Sequence, residues 1–194
     1  MQKYELTGSE CFLAEVDANC IGIQRFTFRI RALRPIERFG IKVGDFGGWI
    51  ESINNLSQDH DAWISDNALI FGSARVFGNA RVYGNAKVFD NAQVFDDAHV
   101  FDHARVHGNT EIFGNAKVSD YAHVFDNAKV FDNAQVSGDA RVFDNAQIFD
   151  NARVSDNARV YGDAMANGKI ILWGNSEVFV DPEELQIEDS QIFR

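Results

Sequence analysis

Proline, cysteine and long apolar runs are all scarce in this sequence of 194 residues, and each shortage excludes a kind of structure. Pro35 and Pro182 are the only prolines, so little interrupts regular backbone between them. Cys11 and Cys20 are the only cysteines, which excludes a disulfide framework and a zinc site of four cysteines. No apolar run reaches the length of a membrane span, and no leader pattern opens the chain. We therefore expect reduced thiols, no membrane segment and a cytoplasmic location.

Basic clusters and threonines are also scarce. The net charge is −11, from 18 Lys and Arg against 29 Asp and Glu. A protein that binds a phosphate backbone directly needs clustered Lys and Arg, so we expect no direct nucleic-acid binding. Thr7, Thr27 and Thr110 are the only threonines, which excludes the flat threonine array of antifreeze β-helices.

A six-residue repeat, in contrast, fills two thirds of the chain. An aliphatic residue occupies nineteen of twenty frame positions from Ile64 to Val178, and alanine stands two residues earlier at seventeen of twenty. The exceptions are Ala166 in the first set and Thr110, Ile170 and Ser176 in the second. A pattern this long predicts a repeated structural unit.

Each unit reads Ala-x-Val-Phe followed by Asp-Asn or Gly-Asn, which divides into a strand and a corner. Side chains alternate along a strand, so Ala and Val face inward while the residue between them and Phe face outward. Gly, Asp and Asn most easily adopt the left-handed backbone of a tight corner. Three such corners close a triangular coil of eighteen residues that rises about 4.8 Å through parallel strand pairing. Twenty units predict nearly seven coils, roughly 32 Å in total.

Two stretches carry a family resemblance. The segments "GNARVYGNAKV" and "GDFGGWIESINNLSQ" are similar to YdcK-type hexapeptide-repeat proteins, some of which are carried by phages or prophages. The repeat also resembles the wider superfamily that contains many trimeric acyltransferases. This resemblance implies an all-β fold: a single-stranded, left-handed parallel β-helix of triangular section with a small N-terminal β cap. It also implies a homotrimer, with a dimer as the alternative.

The repeat frame divides the chain into three parts. We predict an N-terminal β cap over 1–48, the hexapeptide-repeat β-helix over 49–178 and an acidic C-terminal tail over 179–194. The cap segments "KYELTG" and "FTFRIRAL" alternate polar and apolar residues as strands do. A cap is expected because the end of a solenoid exposes backbone groups and apolar side chains.

Residues eighteen apart lie above one another, so the outward side chains sort into three faces. The first two faces carry continuous aromatic columns, whereas the third changes to Ser119, Ser137 and Ser155. Two such columns exceed the apolar surface that monomers normally expose. Ring stacking, homo-oligomerisation or a foreign protein partner would each cover them. The predicted interaction surface is Phe71, Phe89, Phe125, Phe143 and Tyr161 on the first face, and Phe77, Phe95, Phe113, Phe131 and Phe149 on the second.

Four histidines are the candidates for a general base, the role that histidine has in hexapeptide-repeat acyltransferases. They are His99, His103, His107 and His123. The first three lie four residues apart, on successive outward positions, while His107 and His123 share the first face. The repeat has no inserted loop of the kind that helps enclose an acyltransferase substrate. The sequence therefore favours a protein without catalysis and without a cofactor.

Corner aspartates form short columns along the predicted coils. They are Asp96, Asp102, Asp120, Asp126, Asp132, Asp144, Asp150 and Asp156. Carboxylates stacked this closely repel one another or recruit a cation. Most are followed three residues later by Lys, Arg, His or Gln. We therefore predict solvated or paired carboxylates and no metal site.

Three functional hypotheses remain open from the sequence. The preferred one is a non-enzymatic, oligomeric interaction protein, in one version a phage-type inhibitor that occupies the basic channel of a host or defence nucleic-acid-binding protein. The second is an acyltransferase with a histidine at a subunit boundary. The third is a purely structural rod or spacer.

Overall fold

The computed structural model describes residues 2–16 and 22–180. An antiparallel hairpin of β1 (Tyr4–Val16) and β2 (Gly22–Ala32) begins the chain, and β3 (Phe46–Ile50) pairs antiparallel with β2. Short 3-10 turns at Glu37–Phe39 and Ile53–Asn55 flank β3. On its other edge β3 pairs parallel with Leu69–Ile70, the second strand of the repeat, so the cap continues the solenoid sheet directly.

The repeat folds into short strands that pair only in parallel. They are numbered β4 to β23 in chain order: Trp63–Ile64, Leu69–Ile70, Arg75–Val76, Arg81–Val82, Lys87–Val88, Gln93–Val94, His99–Val100, Arg105–Val106, Glu111–Ile112, Lys117–Val118, His123–Val124, Lys129–Val130, Gln135–Val136, Arg141–Val142, Gln147–Ile148, Arg153–Val154, Arg159–Gly162, Met165–Ala166, Ile171–Leu172 and Glu177–Val180. Every third strand joins the same sheet, and partners are eighteen residues apart, as for Val100 and Val118. The prediction of a triangular all-β solenoid of about seven coils is confirmed.

Three sheets form the faces of the prism. The first face is the sheet β3-β5-β8-β11-β14-β17-β20-β23, which also carries β2 and β1 at its end. The second face is β6-β9-β12-β15-β18-β21, and the third is β4-β7-β10-β13-β16-β19-β22. The left-handed sense of the coil, implied by the resemblance, stays a prediction.

The core is a column of small and β-branched side chains on the solenoid axis. Val100, Val118 and Val136 are fully buried, as are the alanines that precede them in each unit. Burying each valine contributes about 1.5–3 kcal/mol, so the repeat is stabilised chiefly by this column. Thr110 takes an alanine position and remains buried because its hydroxyl donates to the backbone oxygen of His107.

The cap is held against the first coil by hydrogen bonds of side chains that lie outside the repeat. The Tyr4 hydroxyl donates to the Leu56 carbonyl at 2.7 Å and to the Ile53 carbonyl at 3.0 Å. The side-chain oxygen of Gln58 accepts from the Lys3 backbone at 2.7 Å. Lys3 is fully buried, and burial lowers the pKa of its ammonium to about 8.

Two predicted boundaries can be compared with these elements. The cap boundary at residue 48 falls within β3, which belongs to both the cap and the first face. The last coil continues through β23 to Val180, two residues past the predicted end of the repeat. The rest of the predicted acidic tail, 181–194, lies outside the described residues, as does Cys20.

Candidate functional site

The second face carries an unbroken column of five phenylalanines. Phe77, Phe95, Phe113, Phe131 and Phe149 stack with ring centroids 4.8–4.9 Å apart and planes within 6° of parallel. Each ring covers its neighbours, which leaves the edges exposed and the side chains partly buried. The flanking column is nearly neutral, since Glu111 and Lys129 pair at 2.8 Å. This face therefore presents an apolar ribbon with little charge at its border.

The first face carries a longer column that includes one histidine. Phe71, Phe89, His107, Phe125, Phe143, Tyr161 and Phe179 follow one another with centroids 4.6–5.4 Å apart. The cap closes its N-terminal end, because the Arg25 guanidinium lies 5.5 Å from the Phe71 ring centre and Phe71 is only 1% exposed. Sequence analysis did not include Phe179, which is 53% exposed, although it occupies the same repeat position as the others.

The third face has only a short aromatic stack. Tyr83 and Phe101 stack at 4.9 Å, and the serines predicted from the repeat follow in the next coils. The Arg81 guanidinium lies 4.7 Å from the centre of the Tyr83 ring and 5.1 Å from that of Phe39 in the cap. The prediction of two aromatic faces and a third of different character is confirmed.

The four candidate histidines lie at three different places. His99 is on the third face, His103 is at a corner stacked 4.8 Å from Tyr121, and His107 and His123 meet edge-to-face at 5.4 Å on the first face. Burial lowers the pKa of both His99 and His107. The Nδ1 atom of His107 lies 3.6 Å from an Asp90 carboxylate oxygen. Only one pair of histidines is therefore brought together.

His123 is the most strongly perturbed of the four. Burial, then the neighbouring His107, Arg105 and Arg141, lower its pKa to about 4. Its Nε2 atom is buried without a hydrogen-bond partner among the described residues. A neutral imidazole with so low a pKa accepts a proton poorly at pH 7, which makes His123 a weak general base.

Acidification should destabilise the protein partly through His123. Its folded pKa lies below the unfolded value of about 6.5, so its contribution is complete above pH 6.5 and is lost as the pH falls through about 4. Discounted for partial exposure, the loss is about 1–2 kcal/mol. We expect His123→Gln, the residue at the same repeat position in Gln93, to lose less stability than the wild type between pH 7 and 4.5 in urea unfolding. Equal losses in both proteins would contradict this assignment.

The corner aspartates have a structural role that sequence analysis missed. Each has φ between 55° and 60°, and in all of them except Asp102 a carboxylate oxygen accepts from the backbone N–H eighteen residues later, as when Asp120 accepts from Gly138 at 3.1 Å. The bond recurs at nine corners, with acceptors Asp66, Asp90, Asp96, Asp120, Asp126, Asp132, Asp144, Asp150 and Asp156. Of the predicted corner residues only Asp102 does not make this bond to a described residue, and Asp66 and Asp90 join the set. These carboxylates tie adjacent coils together.

Two concave surfaces lie towards the two ends of the described solenoid. One pocket of about 480 Å³ is lined by residues 172–178, and a second of about 280 Å³ lies between Ile53 and Phe77. Neither is lined by a candidate histidine. Over residues 2–16 and 22–180, no three His, Cys, Asp or Glu side chains are grouped as metal ligands would be. Within those same ranges no helix is both long and apolar enough to cross a membrane.

The comparison with protein families agrees with this geometry. The family described as the YdcK beta solenoid repeat matches four segments, residues 74–89, 134–148, 146–162 and 152–168. No curated protein matches the chain in sequence. All four matched segments lie within the stacked coils, and each contains Ala-x-Val-Phe or a variant of it. The chain is thus a β-solenoid of about seven coils whose matched segments are similar to the YdcK beta solenoid repeat.

Proposed function

We propose that this protein is a non-catalytic interaction scaffold that binds a protein partner through the phenylalanine column of its second face. The observation that carries the proposal is the run of five stacked, partly exposed rings on a face with almost no net charge. Aromatic side chains are enriched at the centres of protein interfaces, where charged residues are depleted. A rigid solenoid holds them in place before binding, so little ordering entropy is lost.

The acidic corners narrow the class of partner. A net charge of −11 and corner carboxylates in successive coils suit a partner with a basic surface. A host or defence protein with a basic nucleic-acid channel, the partner class expected from the sequence, has this chemistry. Acyl transfer and a purely structural rod are not proposed, because no observation on the described residues favours either.

Replacing Phe131 by serine should weaken partner binding at least tenfold. Serine already occupies this repeat position in Ser137, so the fold tolerates it, while the column loses its contacts with Phe113 and Phe149. The measurement is affinity capture from lysate of the source cells at low and moderate salt, with quantitative identification of retained proteins. Phe125→Ser makes the same change on the first face and is the matched control.

A partner on the second face is retained by the wild type and by Phe125→Ser, and is depleted with Phe131→Ser. If it also has a basic nucleic-acid site, added DNA should compete with the scaffold for it. Equal retention by all three proteins would contradict a second-face site. Capture of no specific protein at either salt concentration would contradict the scaffold itself.

A further inference from the structure

One end of the described solenoid is open, whereas the cap closes the other. The strands β21, β22 and β23 are the last of their three sheets, so each pairs along one edge only with described residues. In the coil before, the Arg153 backbone N–H donates to the Ile170 carbonyl at 2.8 Å. The equivalent N–H of Ile171, and that of Trp173 two residues later, donate to no described residue. Such an edge is normally paired or covered.

The same end exposes apolar surface that the inner coils bury. Val160 is fully buried on the axis, but Val178, one coil later, is only partly buried. Ile171 and Trp173 are 58% and 57% exposed. The cavity of about 480 Å³ lies at this end and is lined by residues 172–178. The end therefore has both a free strand edge and the space for one more strand.

The segment 181–194, outside the described residues, contains a copy of the repeat unit. Its sequence Ser190-Gln191-Ile192-Phe193 matches Ser176-Glu177-Val178-Phe179, which forms most of β23. Serine takes the alanine position in both units. In the described unit the Ser176 hydroxyl donates to the Trp173 carbonyl at 2.7 Å, so serine is accommodated there. The segment therefore has the sequence of one further strand of the solenoid.

This copy is displaced from the repeat frame by two residues. A strict eighteen-residue spacing would set Glu184 on the axis above Ala166, where an unpaired carboxylate is very unfavourable. A spacing of twenty residues instead sets Ile192 above Leu172, which continues the apolar column. The sequence thus favours a strand on the third face, reached after the frame is broken on the second.

The segment is long enough to reach that position. Val180 pairs with Gly162 in the coil below, and Ile171 follows Gly162 by nine residues. Gln191 follows Val180 by eleven, which provides about 7 Å of additional reach. The crossing residues include Pro182 and a series of carboxylates, a composition that suits a solvated loop rather than a strand.

We propose that residues 190–193 fold back onto their own chain as a strand parallel to β22 and cover the open end of the third face. The N–H groups of Ile171 and Trp173 donate to carbonyls of this strand, as their equivalents do in the coil before. Ile192 extends the axial column, and Phe193 stacks on Trp173 as the rings of the other faces stack on one another. This closure goes beyond the proposed scaffold role and does not depend on it.

Hydrogen exchange of single backbone amides, followed by NMR spectroscopy on the full chain, tests the closure. The amides of Ile171 and Trp173 should exchange at least tenfold more slowly than unpaired amides. The amide of Met165, at the edge of the second face that the crossing leaves unpaired, should exchange freely. Free exchange of Ile171 and Trp173 would overturn the proposal, and protection of Met165 instead would place the strand on the wrong face.

Two matched substitutions test the register. Ile192→Asp places a carboxylate on the axis and should abolish the protection of both third-face amides, as should deletion of 190–194. Ile187→Asp makes the same change in the crossing loop and should leave that protection intact. The Ser119 amide, which donates to the Val136 carbonyl at 2.9 Å in the middle of the solenoid, reports in each variant that the coils persist. Equal effects of Ile192→Asp and Ile187→Asp would overturn the assignment.

Mixing two proteins tests whether the strand comes from the same chain. Isotope-labelled Ile192→Asp is refolded from urea together with an excess of unlabelled wild type, and exchange of the labelled amides is measured. A strand that folds back on its own chain leaves them unprotected. Restored protection would show that a second copy supplies the strand and would overturn the closure.

The closure and the second-face site can fail separately. Ile192→Asp should still retain the partner that the wild type captures, because the phenylalanine column is unchanged. Phe131→Ser should lose the partner but keep slow exchange of the Ile171 amide. Loss of that slow exchange in Phe131→Ser, with the Ser119 amide still protected, would contradict a strand confined to the third face.

Discussion

Replacing Gly138 by alanine should lower the free energy of unfolding by about 2–4 kcal/mol, one of the largest effects expected of a single methyl group in this protein. Gly138 turns a corner at φ 65°, where an L-residue costs about 1–2 kcal/mol. A Cβ atom there would also lie 2.6 Å from the backbone nitrogen of Asp156 in the next coil, so the coils must separate locally. As the two coils separate, the backbone hydrogen bonds between them weaken.

Two matched substitutions separate these costs. Gly174 has nearly the same φ, 67°, but no atom of a described residue within 4 Å of the added Cβ, so Gly174→Ala should cost only about 1–2 kcal/mol. Gly138→Asp should cost less than Gly138→Ala, because aspartate tolerates this conformation and its carboxylate can accept from the next coil. A carboxylate oxygen of Asp126 accepts in this way from the backbone N–H of Asp144, at 3.4 Å.

Urea unfolding followed by circular dichroism measures all three variants against the wild type. The expected order of stability is wild type, then Gly138→Asp and Gly174→Ala, then Gly138→Ala. If Gly138→Ala and Gly174→Ala were equally stable, the close approach of adjacent coils would not matter. If Gly138→Asp were as unstable as Gly138→Ala, the carboxylate bond would contribute nothing.

The same corner shows what sequence could and could not predict. The need for Gly, Asp or Asn follows from local backbone geometry, so the position of every corner is predictable from the repeat. The bond from Asp120 to the Gly138 backbone joins residues eighteen apart and depends on how the coils are aligned. Because this hydrogen bond recurs at the spacing of one coil, it can be predicted only after the coil length is known.

Contacts outside the repeat were beyond prediction for a different reason. The Tyr4 hydroxyl reaches the Leu56 carbonyl across fifty-two residues, and Arg38 reaches Asp97 across fifty-nine, at 2.7 Å in each case. No period links these positions, so nothing local specifies their partners. The aromatic columns, in contrast, were assigned to their faces from spacing alone, except that Phe179 was omitted. Periodicity predicted the coil and its faces, but not how the cap closes its end.

Removing one whole coil should leave a folded protein, whereas removing one residue more should not. Deletion of 139–156 joins Gly138 to Asn157 and recreates a complete Val-Ser-Gly-Asn-Ala unit. Eighteen residues are one full turn, so Ser137 still lies on the third face and every column continues. Stability in a solenoid is nearly a sum over neighbouring coils. We expect the variant to unfold cooperatively, with a urea m-value about one seventh lower than that of the wild type.

Deletion of 139–157 removes nineteen residues and joins Gly138 to Ala158, which leaves a unit of five residues. Such a unit cannot place both Ala158 and Val160 on the axis and still turn a corner, because inward and outward side chains alternate along a strand. The shortened chain must either expose a buried side chain or break the strand pairing of all later coils. Either costs several kcal/mol, comparable to the whole stability of many domains. We therefore expect this variant to lose cooperative unfolding at 25 °C, and equal m-values and midpoints for the two deletions would show that the six-residue frame does not govern the fold.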